Sequence, residues 1–215
     1  WKNFFKLIFM ITLSDIQAAQ QKILPYIFKT PQIYSSPLSN NNKNVYLKLE
    51  SMQITGSFKL RGATNKLLSL NEEQKNKGII AVSTGNHGKA VAYAGKKLGI
   101  KSKIFMSDLV PTHRRMAIEA LGAEVVITGK NSDEADTNAR DYAKKNNITL
   151  IHPFDDQHII AGQGTIGLEM IESLPSIDTV IVPTSGGGLI GGIAIALKKQ
   201  KPNIKVIAVS MKRGP

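Results

Sequence analysis

Cysteine is absent from the 215 residues, so a disulfide framework, a thiolate nucleophile and a metal site built on sulfur are excluded. A reducing compartment suits such a chain, and the cytoplasm is the expected location. Aromatic residues are scarce, 6% against 42% hydrophobic in total, a balance that fits a soluble α/β protein of one or two domains. Acidic residues are few as well: 16 Asp and Glu against 28 Lys and Arg leave a net charge of +12. Such a surplus can serve polyphosphate binding through counterion release. Here the lysines fall instead in scattered pairs, Lys96-Lys97, Lys144-Lys145 and Lys198-Lys199, late in helical patterns where cations complement the helix dipole. Aromatics do not interleave with them as a stacking surface requires, so no nucleic-acid partner is expected.

The four histidines show neither ligand spacing nor an H-E-x-x-H pattern, and no metal site is expected. His113, His152 and His158 read as surface or loop residues. The apolar opening, Trp1 to Thr12, has no small-residue cleavage site and is too short to span a bilayer. No membrane partner is expected. The chain starts on Trp rather than Met, which reads as a fragment or as translated upstream sequence with the natural start at Met10.

What is present is a regular alternation. Ser14 reads as the cap of a helix reaching Ile23, and Lys29 to Asn42 as a Pro/Ser/Asn loop. Strand patterns occupy 45–49, 78–82, 103–106, 124–127, 148–151, 179–182 and 205–209, and helical patterns fill 57–70, 87–98, 113–121, 132–146, 157–173 and 189–200. Strands alternating with helices of this length predict βαβ units in mostly parallel sheet, with ligands at the carboxyl ends of the strands.

Three strand-to-helix or loop-to-helix junctions carry chemistry. Lys59, in Thr55-Gly56-Ser57-Phe58-Lys59-Leu60-Arg61-Gly62-Ala63, falls in the first turn of a helix, flanked by apolar neighbours rather than acids. The positive end of the dipole and desolvation both lower a lysine pKa, as a Schiff-base lysine requires. Ser83-Thr84-Gly85-Asn86-His87-Gly88 joins a strand to a helix N-terminus, a pocket of N–H groups and hydroxyls suited to a carboxylate or phosphate, with Asn86 and His87 offering directional hydrogen bonds. An ordinary βα turn would look similar. Pro183-Thr184-Ser185-Gly186-Gly187-Gly188-Leu189 sits likewise, and its glycines let several N–H groups converge on a phosphate. It lacks the lysine of a P-loop, which argues against nucleotide hydrolysis. Gly162-Gln163-Gly164-Thr165-Ile166-Gly167 satisfies G-x-G-x-x-G, but it follows a helical pattern and has no acidic residue about 20 positions on. Its glycines are expected to permit close helix packing.

In order and spacing, Ser57-Phe58-Lys59-Leu60-Arg61-Gly62-Ala63, Ser83-Thr84-Gly85-Asn86-His87-Gly88 and Ser185-Gly186-Gly187-Gly188-Leu189 resemble the three signatures of fold type II pyridoxal-phosphate enzymes of the serine/threonine dehydratase group. The likeness runs from about Thr12 to the end. A finer likeness, to the hydroxyectoine utilization dehydratase branch, rests on the 83–90 segment, Pro153-Phe154-Asp155-Asp156, Ala161 to Glu169, and Met211-Lys212-Arg213-Gly214-Pro215.

The resemblance implies a tryptophan-synthase-β-like α/β fold of two open, twisted, mostly parallel sheets flanked by helices. A large domain would be formed by residues 1–72 and 148–215, a small domain by 73–147, and a C-terminal part would be missing. It implies pyridoxal 5'-phosphate as cofactor, held by Lys59, with Phe58 beside the ring, Asn86 on the ring's 3-oxygen, and Ser185, Gly186, Gly187, Gly188 and Leu189 around the phosphate. Ser83, Thr84, Gly85, Asn86 and His87 would bind the substrate carboxylate, and Lys59 would take the Cα proton. The implied activity is ammonia-lyase elimination from a β-hydroxy amino acid, serine/threonine-type or hydroxyectoine-derived, giving a 2-oxo acid and ammonia. The full-length protein would be a homodimer.

Two departures qualify the likeness. Thr84 stands where racemising members place a hydroxyl acid opposite the lysine; it could donate a proton but is bulkier. Val209-Ser210-Met211-Lys212-Arg213 stands where several relatives bind a divalent cation through a glutamate. A β-replacement enzyme of the cysteine synthase type would carry an asparagine-rich lysine segment, which is absent. A non-catalytic relative would have lost the lysine or degraded a loop, and all three segments are intact.

Overall fold

A computed structural model describes residues 11–212. The start at Met10 and residues Arg213, Gly214 and Pro215 of the finer likeness lie outside the described residues. The chain opens with α1, Leu13–Ile23. Its cap is Thr12 rather than the expected Ser14: the Thr12 hydroxyl accepts the Asp15 N–H at 3.2 Å, and the Asp15 carboxylate accepts the Thr12 N–H at 2.8 Å. That reciprocal pair satisfies two N–H groups at the helix start and fixes the cap at Thr12.

The 29–42 segment is not all loop. Gln32–Tyr34 forms β1, antiparallel to β2, Tyr46–Lys48, with Tyr34 opposite Tyr46. Three residues are too few for a periodic signal, and the cross-strand tyrosine contact at 5.6 Å is invisible to local patterning. Then follow α2, Lys59–Leu68, and a short helix α3, Glu72–Lys77, for which the sequence reading had no element. Its signal is a capping box, Asn71 with Gln74.

The regular alternation follows as expected. β3 is Ile79–Val82, α4 Asn86–Lys97, β4 Ser102–Met106, α5 Thr112–Glu119, β5 Glu124–Ile127, α6 Ser132–Asn146 and β6 Thr149–Leu150. The last part is α7, Gln157–Ser173, β7, Thr179–Pro183, α8, Gly188–Gln200, and β8, Lys205–Val209. The paired lysines close α4, α6 and α8, where the dipole favours them.

β3 to β6 make one parallel sheet in the order β5-β4-β3-β6, and β7 pairs in parallel with β8. From β3 the chain winds outward through β4 and β5, then crosses back to place β6 on the other side of β3. The crevice at the carboxyl ends of β3 and β6 is therefore a topological switch point, the position at which such sheets bind ligands.

A core of Leu60, Leu67, Ile79, Val91, Ile104 and Ile118 fills the space between α2, α4, α5 and this sheet. A second one, with Ile166, Val180, Val182, Ile193 and Leu197, lies between α7, α8 and β7. Gly162-Gln163-Gly164-Thr165-Ile166-Gly167 lies inside α7 and is a packing surface, as expected. A Cβ on Gly162 would stand 2.6 Å from the Cα of Gly62, one on Gly164 would stand 2.9 Å from the carbonyl of Gly192, and one on Gly167 would stand 2.9 Å from Ala196. No helix among the described residues is long and apolar enough to cross a membrane.

Candidate active site

Lys59 is the first residue of α2, and its position is set from two sides. Upstream, Gln53 clamps the Phe28 peptide, accepting the Phe28 N–H and donating to the Phe28 carbonyl, both at 2.9 Å. Its own carbonyl then receives the Gly56 N–H at 2.7 Å, which closes the turn feeding the helix. Downstream lies Arg61, fully buried. Its guanidinium donates to both oxygens of Glu50, at 2.9 and 2.8 Å, and to both of Glu169, at 2.7 and 2.9 Å. Lys48 adds a bond to Glu169 at 2.5 Å. Two cations and two carboxylates thus balance inside the protein. Burial alone would discharge Arg61, but its bonds to Glu50 and Glu169 outweigh that and hold its pKa above the ordinary value. The cluster ties the start of α2 to β2 and to the middle of α7.

Among the described residues the Lys59 ammonium has no acid beside it. It donates to the Pro153 carbonyl at 2.7 Å and lies 5.3 Å from the centre of the Phe58 ring. Burial lowers its pKa, as the sequence predicts, so the neutral amine is more accessible than in a solvated lysine.

The second segment leaves β3 at the switch point. Gly85 caps α4, its N–H donating to the Ser83 hydroxyl at 3.2 Å. The first intrahelical donor is Lys89, bonded to the Gly85 carbonyl at 3.1 Å, so the N–H groups of Asn86, His87 and Gly88 are free of the helix ladder. Ser83, Thr84 and Gly85 are half-buried and Asn86 is exposed. His87 departs from the expectation of a side-chain bond to a ligand. Its imidazole is buried and donates from Nε2 to the Ile151 carbonyl at 2.9 Å, which leaves its backbone N–H as its contribution to an anion. Burial pushes the His87 pKa down to about 4, with the charge of Lys59 acting in the same direction; the ring is neutral at physiological pH.

The third segment leaves β7 beside β8, to which the Thr184 N–H bonds at the Val209 carbonyl, 2.8 Å. Gly187 caps α8 with φ 84°, a conformation that disfavours any side chain. The first ladder bond runs from Gly191 to the Gly187 carbonyl, leaving the N–H groups of Gly188, Leu189 and Ile190 for a ligand. A Cβ placed on Gly187 meets no atom within 4 Å, so the turn opens onto free space. Ser185 is exposed and Leu189 half-buried. A basic, partly desolvated amine with two uncapped helix N-termini is the donor set that an aldehyde bearing a phosphate requires, and the residues fit pyridoxal phosphate on that ground.

Sequence reasoning left one element without a structural role, the segment Ile151 to Asp155 between β6 and α7. Ile151 receives His87, Pro153 receives Lys59, and Phe154 lies against Gly186 and Gly188. Its earlier use was as a mark of resemblance only. A cavity of about 1050 Å³ between β2 and β7 borders the site through Phe58, Pro183 and Leu189. Neither Lys59 nor any residue of the 83–87 segment lines it.

The family described as "Pyridoxal-phosphate dependent enzyme" matches residues 23–215. The catabolic L-threonine dehydratase TdcB of Staphylococcus aureus strain N315 is 49% identical over 202 residues, 93% of this chain and 58% of the relative. The chain therefore spans a little over half the length of that curated relative. Among solved structures, the processed form of threonine deaminase isoform 2 from Solanum lycopersicum superposes with a TM-score of 0.89 at 41% identity, covering 92% of this chain and 54% of the other. Maize serine racemase gives a TM-score of 0.88 at 36% identity, covering 92% and 60%.

Proposed function

The chain belongs to the pyridoxal-phosphate-dependent enzyme family, and from that premise we propose that it is the catalytic part of an ammonia-lyase acting on a β-hydroxy amino acid of the serine/threonine type. The observation that carries this reading is Lys59: a desolvated amine whose partner among the described residues is a neutral carbonyl, placed among two helix N-termini without side-chain caps at a switch point. Pyridoxal phosphate, when bound, supplies the electron sink for a carbanion at the substrate Cα.

The chain's own residues do the rest. Lys59 Nζ holds the cofactor and takes up the Cα proton, a role its lowered pKa suits. The N–H groups opening α8, with Ser185, Gly186, Gly187, Gly188 and Leu189, bind the phosphate. Those opening α4, with Ser83, Thr84 and Gly85, orient the carboxylate, and Asn86 meets the ring oxygen. Phe58 covers one side of the ring and keeps water from the amine. The residues that take part in this come from 1–72 and 148–215 for lysine and phosphate and from 73–147 for the carboxylate, the division into two domains that goes with this reading. A homodimeric, cytoplasmic protein belongs to the same reading.

The finer likeness to the hydroxyectoine utilization branch makes a hydroxyectoine-derived β-hydroxy amino acid the further substrate to offer. A second reading, racemisation, is favoured by Thr84, a hydroxyl on the anion segment, and by the likeness to a serine racemase. One experiment separates these outcomes. The holoprotein is given L-serine, L-threonine and a hydroxyectoine-derived β-hydroxy amino acid, and 2-oxo acid, ammonia and the D-enantiomer are measured. Release of 2-oxo acid and ammonia in equal amounts is expected. D-amino acid without 2-oxo acid would replace the reading with racemisation, and neither product from any substrate would remove it.

A further inference from the structure

The segment from Ile151 to Phe154 leaves β6, which pairs with β3, and enters α7, which packs on α2 and α8. Within four residues it meets each of the three site segments at a different atom. The Ile151 carbonyl accepts the His87 Nε2–H at 2.9 Å, and the Pro153 carbonyl accepts the Lys59 ammonium at 2.7 Å. The Phe154 ring lies directly on Gly186, where a Cβ would overlap it, and the Phe154 Cα stands 3.1 Å from where a Cβ of Gly188 would be.

The segment is itself held. The His152 Nδ1 accepts the Asp155 N–H at 2.7 Å, and the His152 ring stacks edge-on to Phe154 at 4.7 Å. The Asp156 carboxylate caps α7 and pairs with Lys66 of α2 at 2.6 Å. Phe154 keeps 36% of its surface exposed. Close contact on one side and exposure on the other are what a wedge at a ligand cleft shows.

We infer that Phe154 is a positioning residue, a wedge that fixes the distance between the phosphate-binding turn at Gly186–Gly188 and the Lys59 amine. The ring sets the turn, the peptide before it sets the amine, and the two are one residue apart in a segment with little freedom. Lys59 released from the cofactor has the Pro153 carbonyl as its resting acceptor. Loss of the ring lets the turn and the amine drift independently, which weakens the grip on phosphate and changes the environment of the amine together. The inference rests on the proposed cofactor reading.

The test uses the holoprotein and the variants Phe154→Ala and Phe154→Leu, with thermal unfolding to confirm folding. Two readouts besides turnover are followed: the affinity for pyridoxal phosphate and the pH midpoint of the visible band of the lysine-bound cofactor. A further one is thermal stabilisation of the cofactor-free protein by inorganic phosphate. Phe154→Ala is expected to weaken cofactor affinity by about tenfold or more, to shift the midpoint, and to lose the stabilisation by phosphate. Phe154→Leu, which refills the space, is expected to recover most of each. If Phe154→Ala does not fold, Phe154→Val takes its place, with losses between those of alanine and leucine. A folded variant with affinity, midpoint and phosphate effect all unchanged overturns the inference, as does a leucine variant no better than alanine. If the parent protein itself shows no visible band with pyridoxal phosphate, the cofactor reading fails instead, so the two failures are distinguishable.

Discussion

Replacing Glu169 by Gln tests whether the buried charge cluster holds in place the helix that opens with Lys59. Glu169 accepts two guanidinium bonds from Arg61, at 2.7 and 2.9 Å, and one ammonium bond from Lys48 at 2.5 Å, and all three side chains are buried. The amide keeps the shape but removes the charge, leaving two cations to share Glu50. Breaking a buried ion pair by removing one partner costs about 3–5 kcal/mol. For a chain of this size each kcal/mol lowers Tm by about 2–4 °C, so a drop of about 6–20 °C is expected. Adding Lys48→Met restores the balance of one cation to one carboxylate, and the double variant should regain part of the loss. Chemical and thermal unfolding of the parent, the single variants and the double variant close a thermodynamic cycle. A loss below about 1 kcal/mol for Glu169→Gln, or a double variant less stable than the sum of the singles, would refute the view that charge balance sets this region.

Three further outcomes follow from the site. Lys59→Ala is expected to abolish the visible, borohydride-reducible band with pyridoxal phosphate while leaving the fold intact; a band that persists would reassign the lysine. Gly85→Ala places a methyl group where no atom lies within 4 Å, so stability should change by less than about 1 kcal/mol while KM for the amino acid rises; unchanged kinetics would show that the α4 N-terminus does not receive the carboxylate. Gly187 is a poorer probe, because φ 84° strains any side chain there. His87 supplies a pH signature. Its folded-state pKa is about 4 against an ordinary 6.5, so from pH 6.5 down to 4 the unfolded chain takes up a proton that the native protein refuses. Its contribution is fully present above pH 6.5 and is lost as pH falls, by about 3 kcal/mol in all. Unfolding midpoints at several pH values should slope less in His87→Gln, and an equal slope would count against the buried neutral ring.

The alternation of strands and helices was legible because each element is long enough to repeat. Ile79, Ile80 and Ala81 are buried and Val82 half-buried, and the positions of α6 and α7 fall where the periodicity puts them. The three site segments were legible for a related reason, since glycine and hydroxyl residues at a strand-to-helix junction have a local physical meaning. What could not be read was pairing at a distance. Arg61 meets Glu50 and Glu169 across 11 and 108 residues, and no local pattern joins them. The same holds for His87, whose partner is a backbone carbonyl 64 residues away; the type of residue suggested a ligand, and burial turned it inward. Short pieces such as β1 failed for lack of length, although Asn71 and Gln74 did announce α3.

The glycines of α7 act as a caliper. Gly162 touches α2, which carries Lys59, and Gly164 and Gly167 touch α8, which opens on the Gly186–Gly188 turn. The thickness of a bare backbone at these points sets how far apart α2 and α8 stand, behind the span that Phe154 trims, and on the proposed reading that span matches the length of one small aldehyde phosphate. A single methyl group at either contact would open the jaws by about 1 Å, a displacement that can cost about a hundredfold in rate without touching any reacting group. On the proposed reading, the gauge of the grip is therefore held by residues packed behind the lysine and the turn, out of reach of any substrate.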